Sequence, residues 1–250
     1  MSQPIPRLRV FAGPNGSGKS TIKDSLLPQW LGVYVNADDI EKAIRTQGFL
    51  EFAEFGSTAE DLAELPMFMA SSSLLRLANL LDAAARLQVD GTRLLFGAEP
   101  VNSYLASVLS DFIRHHLLRT GKSFTFETVM SSPDKVDFMR RAREQGFRTY
   151  LYFVATEDPE INIERVRNRV LNGGHPVPED KIISRYHRSL ELLPAAVEQS
   201  SRAYVFDNSN HARTWIAEIT DGDDMELQID QMPHWFRTAL WDPFAGTTDT

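Results

Sequence analysis

Gly13-Pro14-Asn15-Gly16-Ser17-Gly18-Lys19-Ser20-Thr21 decides the fold. It contains G-x-x-x-x-G-K-S, the spacing of a phosphate loop. Arg7-Leu-Arg-Val-Phe11 precedes it, an apolar run suited to a buried first strand. Thr21-Ile-Lys-Asp-Ser-Leu-Leu27 follows as a predicted helix. Strand, glycine loop and helix start are the context the motif requires. Backbone N–H groups and the helix dipole make such a loop a cradle for anions. The reading assigns Gly13, Pro14, Asn15, Gly16, Ser17, Gly18, Lys19, Ser20 and Thr21 to a nucleoside triphosphate. Lys19 would reach the β- and γ-phosphates, and Ser20 would hold Mg²⁺.

Outward from the loop, strands alternate with helices. Strands are expected near 7–12, 33–36, 123–127, 148–155 and 203–207. A helix begins near Ala37. Ser132-Pro133 and Asp158-Pro159 announce two more by a capping residue followed by proline. The first stops at Gly146 and the second at Gly173-Gly174, and another helix starts near Pro178. This pattern predicts an α/β fold, a P-loop three-layer sandwich around a mostly parallel sheet. Residues 49–120 read as a helical insertion, because Leu105, Val108, Leu109, Phe112 and Ile113 recur at helical spacing. Leu74, Leu77 and Leu81 suggest a further helix, and 91–100 a loop. Asp221-Gly-Asp-Asp224 resembles a turn between strands, and Pro233 the start of a terminal helix. The expected organisation is one domain over 1–250, with a lid near 160–180 and an extension over 211–250.

Composition narrows the function classes. The net charge of −8 argues against broad nucleic-acid or membrane binding. The absence of cysteine excludes disulfides and thiolate metal sites. No apolar run reaches the roughly eighteen residues of a membrane span. The start, Met1-Ser-Gln-Pro-Ile-Pro-Arg7, lacks a signal peptide's apolar stretch, so a cytoplasmic protein is expected. No guanine-specifying Asn/Thr-Lys-x-Asp follows the loop, and the aspartates at 221–224 lack calcium-loop spacing.

Three apolar runs end in acids: Val33-Tyr-Val-Asn36-Ala-Asp38, Phe124-Thr-Phe-Glu127 and Tyr204-Val-Phe-Asp207. Ligands of open α/β sheets sit beyond such strand ends. Asp38 and Glu127 are candidates for proton acceptor and metal-side carboxylate, and the residues alone do not divide the two roles. Asp39 reads as a helix cap. Asn208, after Asp207, is a candidate nucleotide contact by analogy with other kinases. Arg165 and Arg169 share a helix face above an Ile163, Val166 and Val170 stripe, while Arg167 points away. Arginines before a glycine hinge suit a lid that neutralises phosphate charge and excludes water. His175, Arg185 and Tyr186 are further candidates beside the lid, and His115-His116 reads as structural.

Together these blocks resemble the zeta toxin family of phosphate-loop kinases. The resemblance rests on 13–21, Asn36-Ala-Asp38-Asp39-Ile, Ser123-Phe-Thr-Phe-Glu127-Thr128, and Glu164-Arg165 through Arg169-Val-Leu-Asn-Gly173-Gly174-His175-Pro-Val-Pro178 with Arg185-Tyr186. It implies ATP and Mg²⁺ as cofactors and phosphorylation of a hydroxyl on UDP-N-acetylglucosamine. It also implies Asp38 as the proton acceptor, Glu127 with Asn36 and Thr128 on the acceptor, and Arg165 and Arg169 on the γ-phosphate. Many toxin-like relatives work with an inhibitory protein, so an antitoxin partner is part of what it implies. Another acceptor, such as a nucleotide or antibiotic, and an ATP-gated binding protein without transfer are the alternatives.

Overall fold

A computed structural model describes residues 4–174 and 176–247. In chain order the strands are β1 (Arg7–Ala12), β2 (Val33–Val35), β3 (Phe49–Glu51), β4 (Gln88–Asp90), β5 (Arg93–Leu95), β6 (Phe124–Thr128), β7 (Arg148–Ala155), β8 (Arg202–Asp207), β9 (Thr214–Thr220) and β10 (Asp224–Leu227). The principal helices are α1 (Ala37–Gln47), α2 (Ser103–Arg119), α3 (Asp134–Glu144), α4 (Pro159–Leu171) and α5 (Glu179–Glu191). Seven strands form a mostly parallel sheet in the order β10-β9-β8-β7-β1-β6-β2. The expected α/β fold is borne out. No helix among the described residues is long and apolar enough to cross a membrane.

The chain divides into two compact units. The first holds residues up to Leu31 and those from Glu127 onward. In it β1 pairs in parallel with β7, from Arg7↔Arg148 to Ala12↔Phe153, and β7 pairs in parallel with β8. Both faces of these strands are covered, so they read as continuous apolar runs rather than alternating ones. Leu8, Val10, Phe11, Leu151, Phe153 and Val205 are fully buried. Each such side chain contributes about 1.5–3 kcal/mol by leaving water. Helix α4 starts where the sequence signals it: Asp158 Oδ1 accepts from Glu160 N at 2.9 Å, with Pro159 next. The 221–224 turn joins β9 to β10, which pair antiparallel, and a short helix follows Pro233, as expected. Val170, expected in the buried stripe of α4, is exposed, because the packing cluster of α4 ends at Val166.

The second unit spans Gly32–Phe126. Here β2 pairs in parallel with β6. Helix α2 buries Leu105, Leu109, Phe112, Ile113 and Leu117, and Asn102 Oδ1 caps it by accepting from Tyr104 N and Leu105 N. Besides helices, the 49–120 segment holds a three-stranded antiparallel sheet, β3-β5-β4. Part of the stretch expected as a loop is therefore strand β5. The Leu74–Leu81 stripe is split into two short helices, Ser73–Leu77 and Leu81–Ala85. The break falls at Asn79, whose φ of 55° is left-handed. His116 is buried with its Nδ1 3.4 Å from Asp61 Oδ1, in keeping with a structural role.

Candidate nucleotide and phosphoryl-transfer site

The phosphate loop leaves the end of β1 and bends at Gly13, where φ is +135°. A Cβ there would lie 2.0 Å from the Val154 carbonyl oxygen, so only glycine lets the loop lie against β7. Lys19 Nζ donates to the Pro14 carbonyl at 2.8 Å, tying the ammonium across the loop. After the loop, where a helix is expected over 21–27, the chain winds as a 3₁₀ helix over Lys19–Ser25. That segment buries only Ile22, and Thr21 Oγ1 donates back to the Gly18 carbonyl at 2.7 Å. Such local side-chain bonding, with little apolar packing, favours the tighter turn.

Three side chains of the first unit converge on this loop. From the end of β6, Glu127 Oε2 accepts from Ser20 Oγ at 3.1 Å. From the end of β8, Asn208 Nδ2 donates to the Ser17 carbonyl at 2.8 Å. From α4, Asn162 Nδ2 donates to the Asn15 carbonyl at 2.5 Å. Arg165 stands one turn along α4, and its Nη2 donates to the Asn210 carbonyl at 3.4 Å. Arg169 lies one turn further, exposed, and its carbonyl accepts from Gly174 N at 2.9 Å. Arg167 points elsewhere, donating to Glu179 Oε1 at 2.6 Å.

The site is suited to phosphate groups. Ser17 Oγ and Arg165 Nη1 are buried donors without a hydrogen-bond partner. Donors of this kind normally find partners, and a phosphate presents several acceptor oxygens. Ser20 Oγ and Glu127 Oε2 are adjacent hard oxygens of the type Mg²⁺ prefers. Among the described residues no group of three or more His, Cys, Asp or Glu makes a metal cluster.

Beside the loop is a cleft of about 740 Å³, lined by Thr21, Ile161, Arg165, Asn208, His211 and Arg213, among others. Its volume is that of a small-molecule site. His211 and Arg213 belong to no motif and were not expected here. Arg213 donates to Thr21 Oγ1 at 3.1 Å and to Ser25 Oγ at 2.6 Å, and its guanidinium lies 5.2 Å from the Phe206 ring centre. Burial lowers its pKa.

Other expected residues hold structure. Asn36 Oδ1 accepts from Asp38 N at 2.9 Å, so Asn36, rather than Asp39, caps α1. Asp38 and Asp39 stand in that helix's first turn, in the second unit. Thr128 Oγ1 accepts from Met130 N at 3.0 Å. Asp207 is buried and accepts from Trp235 Nε1 at 2.9 Å and from Ser209 Oγ at 2.6 Å. Tyr186 is buried, its hydroxyl donating to the Thr156 carbonyl at 2.6 Å. His175 lies outside the described residues.

Residues 102–220 match the family model described as zeta toxin. The match includes Glu127, the α4 arginines and Asn208, and leaves out the phosphate loop and Asp38. An uncharacterized protein of Haemophilus influenzae is 27% identical over 107 residues, 41% of this chain and 76% of the relative. Among solved structures, the complex of AvrRxo1-ORF1 with ORF2 and ATP is similar with a TM-score of 0.54 at 15% identity. That likeness covers 96% of this chain and 63% of the other, so this chain spans less than two thirds of that neighbour. A looser likeness, with a TM-score of 0.47 at 14% identity, is to a structure of the PezAT toxin–antitoxin system of Streptococcus pneumoniae; it covers 100% of this chain and 88% of that one. The resemblance first read from the loop, the strand-end acids and the arginine helix is thereby borne out: this chain is similar to the zeta toxin family, with the α/β fold of its neighbours.

Proposed function

We propose that the chain is an ATP-dependent kinase that transfers the γ-phosphate to a hydroxyl of a small acceptor, with UDP-N-acetylglucosamine as the first candidate. The observation that carries this reading is the contact between Ser20 Oγ and Glu127 Oε2 at 3.1 Å. It sets a carboxylate against the hydroxyl of the phosphate loop. That position favours the metal-side role for Glu127 and leaves Asp38 as the proton acceptor.

In this reading the loop amides and Lys19 hold the triphosphate, and the cleft with Asn208 and Arg213 takes the nucleoside. Mg²⁺ at Ser20 and Glu127, when bound, supplies charge neutralisation to the phosphate oxygens. Asp38 accepts the proton of the attacking hydroxyl. The new bond forms between that oxygen and the γ-phosphorus as the bond to the ADP oxygen breaks. Arg165 and Arg169 stabilise charge on the transferred group and exclude water, which separates transfer from hydrolysis. Asn36 and Thr128 flank the acceptor through their backbone positions, their side chains holding the local turns. We also propose that residues 1–250 form one kinase domain in the cytoplasm, with 49–120 as an insertion and 211–250 as an extension. An inhibitory partner protein belongs to the same proposal, supported by AvrRxo1-ORF1 having been solved with ORF2.

Asp38→Ala tests the division of roles. It should leave ATP binding within about threefold and lower transfer by at least about a hundredfold, the scale of a lost general base. Transfer that survives in Asp38→Ala refutes Asp38 as the proton acceptor.

A further inference from the structure

The side chain that joins the arginine helix to the phosphate loop is Asn162. It is fully buried in α4, beside the apolar Ile163 and one turn before Arg165. An amide in that position is costly unless it is hydrogen-bonded. Here both ends are engaged. Nδ2 donates to the Asn15 carbonyl at 2.5 Å, and Oδ1 accepts from Thr156 Oγ1. The Thr156 carbonyl in turn accepts from the buried Tyr186 hydroxyl of α5 at 2.6 Å. The backbones also meet at this point. Gly16, with φ of +77°, lies so close to α4 that a Cβ would stand 2.6 Å from the Asn162 carbonyl oxygen. Ile163 and Val166 pack α4 onto Ile182 of α5. Tyr186, Thr156, Asn162 and Asn15 therefore form one hydrogen-bonded relay from α5 through α4 into the loop.

We propose that Asn162 is a positioning residue that fixes the register between the phosphate loop and α4, so that Arg165 meets the γ-phosphate when the loop is loaded. The proposal rests on the kinase reading above. Residues three apart share a helix face, so a shift at 162 is passed directly to 165. Arg165 lines the cleft beside the loop, and its Nη1 has no hydrogen-bond partner. The relay requires that Asn162 act on the γ-phosphate rather than on nucleotide binding in general.

The test compares ATP and ADP affinities, with a non-hydrolysable ATP analogue, in the full chain. Asn162→Ala should lower the preference for ATP over ADP by about tenfold, the scale of one lost hydrogen bond to a charged group, and weaken ADP by less than about threefold. The double variant with Arg165→Ala should be no worse than Arg165→Ala alone, because the two act through one contact. Equal weakening of ATP and ADP, or additive losses, overturns the proposal and leaves Asn162 a packing residue. Should Asn162→Ala fail to fold, Tyr186→Phe keeps the ring and shortens the relay from its far end. It should show a smaller loss of preference in the same direction, and an unchanged ratio overturns the relay. A wild-type protein with no preference for ATP over ADP, or one untouched by Arg165→Ala, contradicts the kinase reading itself.

Discussion

Replacing Gly13 by alanine tests the loop geometry quantitatively. Two costs fall on the variant. The φ of +135° is one that L side chains rarely adopt, a strain of about 1–3 kcal/mol. The added Cβ would also lie 2.0 Å from Val154 O and 3.1 Å from Ser17 Oγ. A relaxed contact begins near 3.4 Å, so the overlap with the carbonyl is roughly 1.4 Å. Val154 cannot retreat readily, since β7 is paired on one side to β1 and on the other to β8, where Val154 faces Phe206. The loop must move instead, by about an ångström. A displacement of that size at a reacting group costs on the order of a hundredfold. Transfer should therefore fall about a hundredfold, ATP affinity by titration calorimetry about tenfold, the scale of one lost hydrogen bond to a charged group, and the melting temperature by about 4–8 °C for about 2 kcal/mol of strain. Gly48→Ala is the control. Gly48 has φ of +78° but nothing within 4 Å of its Cβ, so it carries the strain without the overlap and should leave ATP affinity unchanged. A Gly13→Ala protein that binds ATP within threefold of wild type refutes the reasoning.

Further outcomes follow from individual contacts. Arg213→Ala removes the donor to Thr21 and Ser25 and should weaken ATP about tenfold in the same titration, with little change in melting temperature. Trp235→Phe removes the buried donor to Asp207 and should cost about 2 kcal/mol, read as a melting temperature lower by about 4–8 °C. The Asp61 carboxyl is held below its usual range, first by the Thr58 backbone N–H at 2.8 Å, with help from the Thr58 hydroxyl, His116 and Arg119 against an opposing burial effect. A carboxyl with a depressed folded pKa stabilises above its unfolded pKa of about 4 and loses that contribution as pH falls. Asp61→Asn should thus lower the melting temperature by about 2–4 °C at pH 7 and make it less sensitive to acid below about pH 4. An equal acid sensitivity in both proteins contradicts the assignment.

The strands of the main sheet were legible because burial on both faces writes a continuous apolar run, as in Leu8–Ala12 and Tyr150–Ala155. The helix start at Asp158 carried its cap in the sequence, whereas at α1 the cap is Asn36, three residues before the Asp39 that the sequence suggests. The small sheet of 49–120 was missed because its strands are three residues long, too short for a period to show. One signal was present: Gly91, with φ of 59°, opens the two-residue turn Gly91-Thr92 between Gln88–Asp90 and Arg93–Leu95. At the site, the loop and Arg165 announced themselves by motif and spacing. His211 and Arg213 did not, since they reach the cleft only through the fold of the β8–β9 connection. Asn162 left a faint mark, a polar residue next to an apolar stripe, which periodicity alone assigns to the surface.

The most direct test of the central claim is phosphate transfer from γ-labelled ATP by the wild-type chain, with Mg²⁺, to a panel of hydroxyl acceptors led by UDP-N-acetylglucosamine. The account expects label on UDP-N-acetylglucosamine, lost in Asp38→Ala while ATP still binds. Label on a different acceptor alone contradicts the substrate. ATP binding with no label on any acceptor contradicts the kinase.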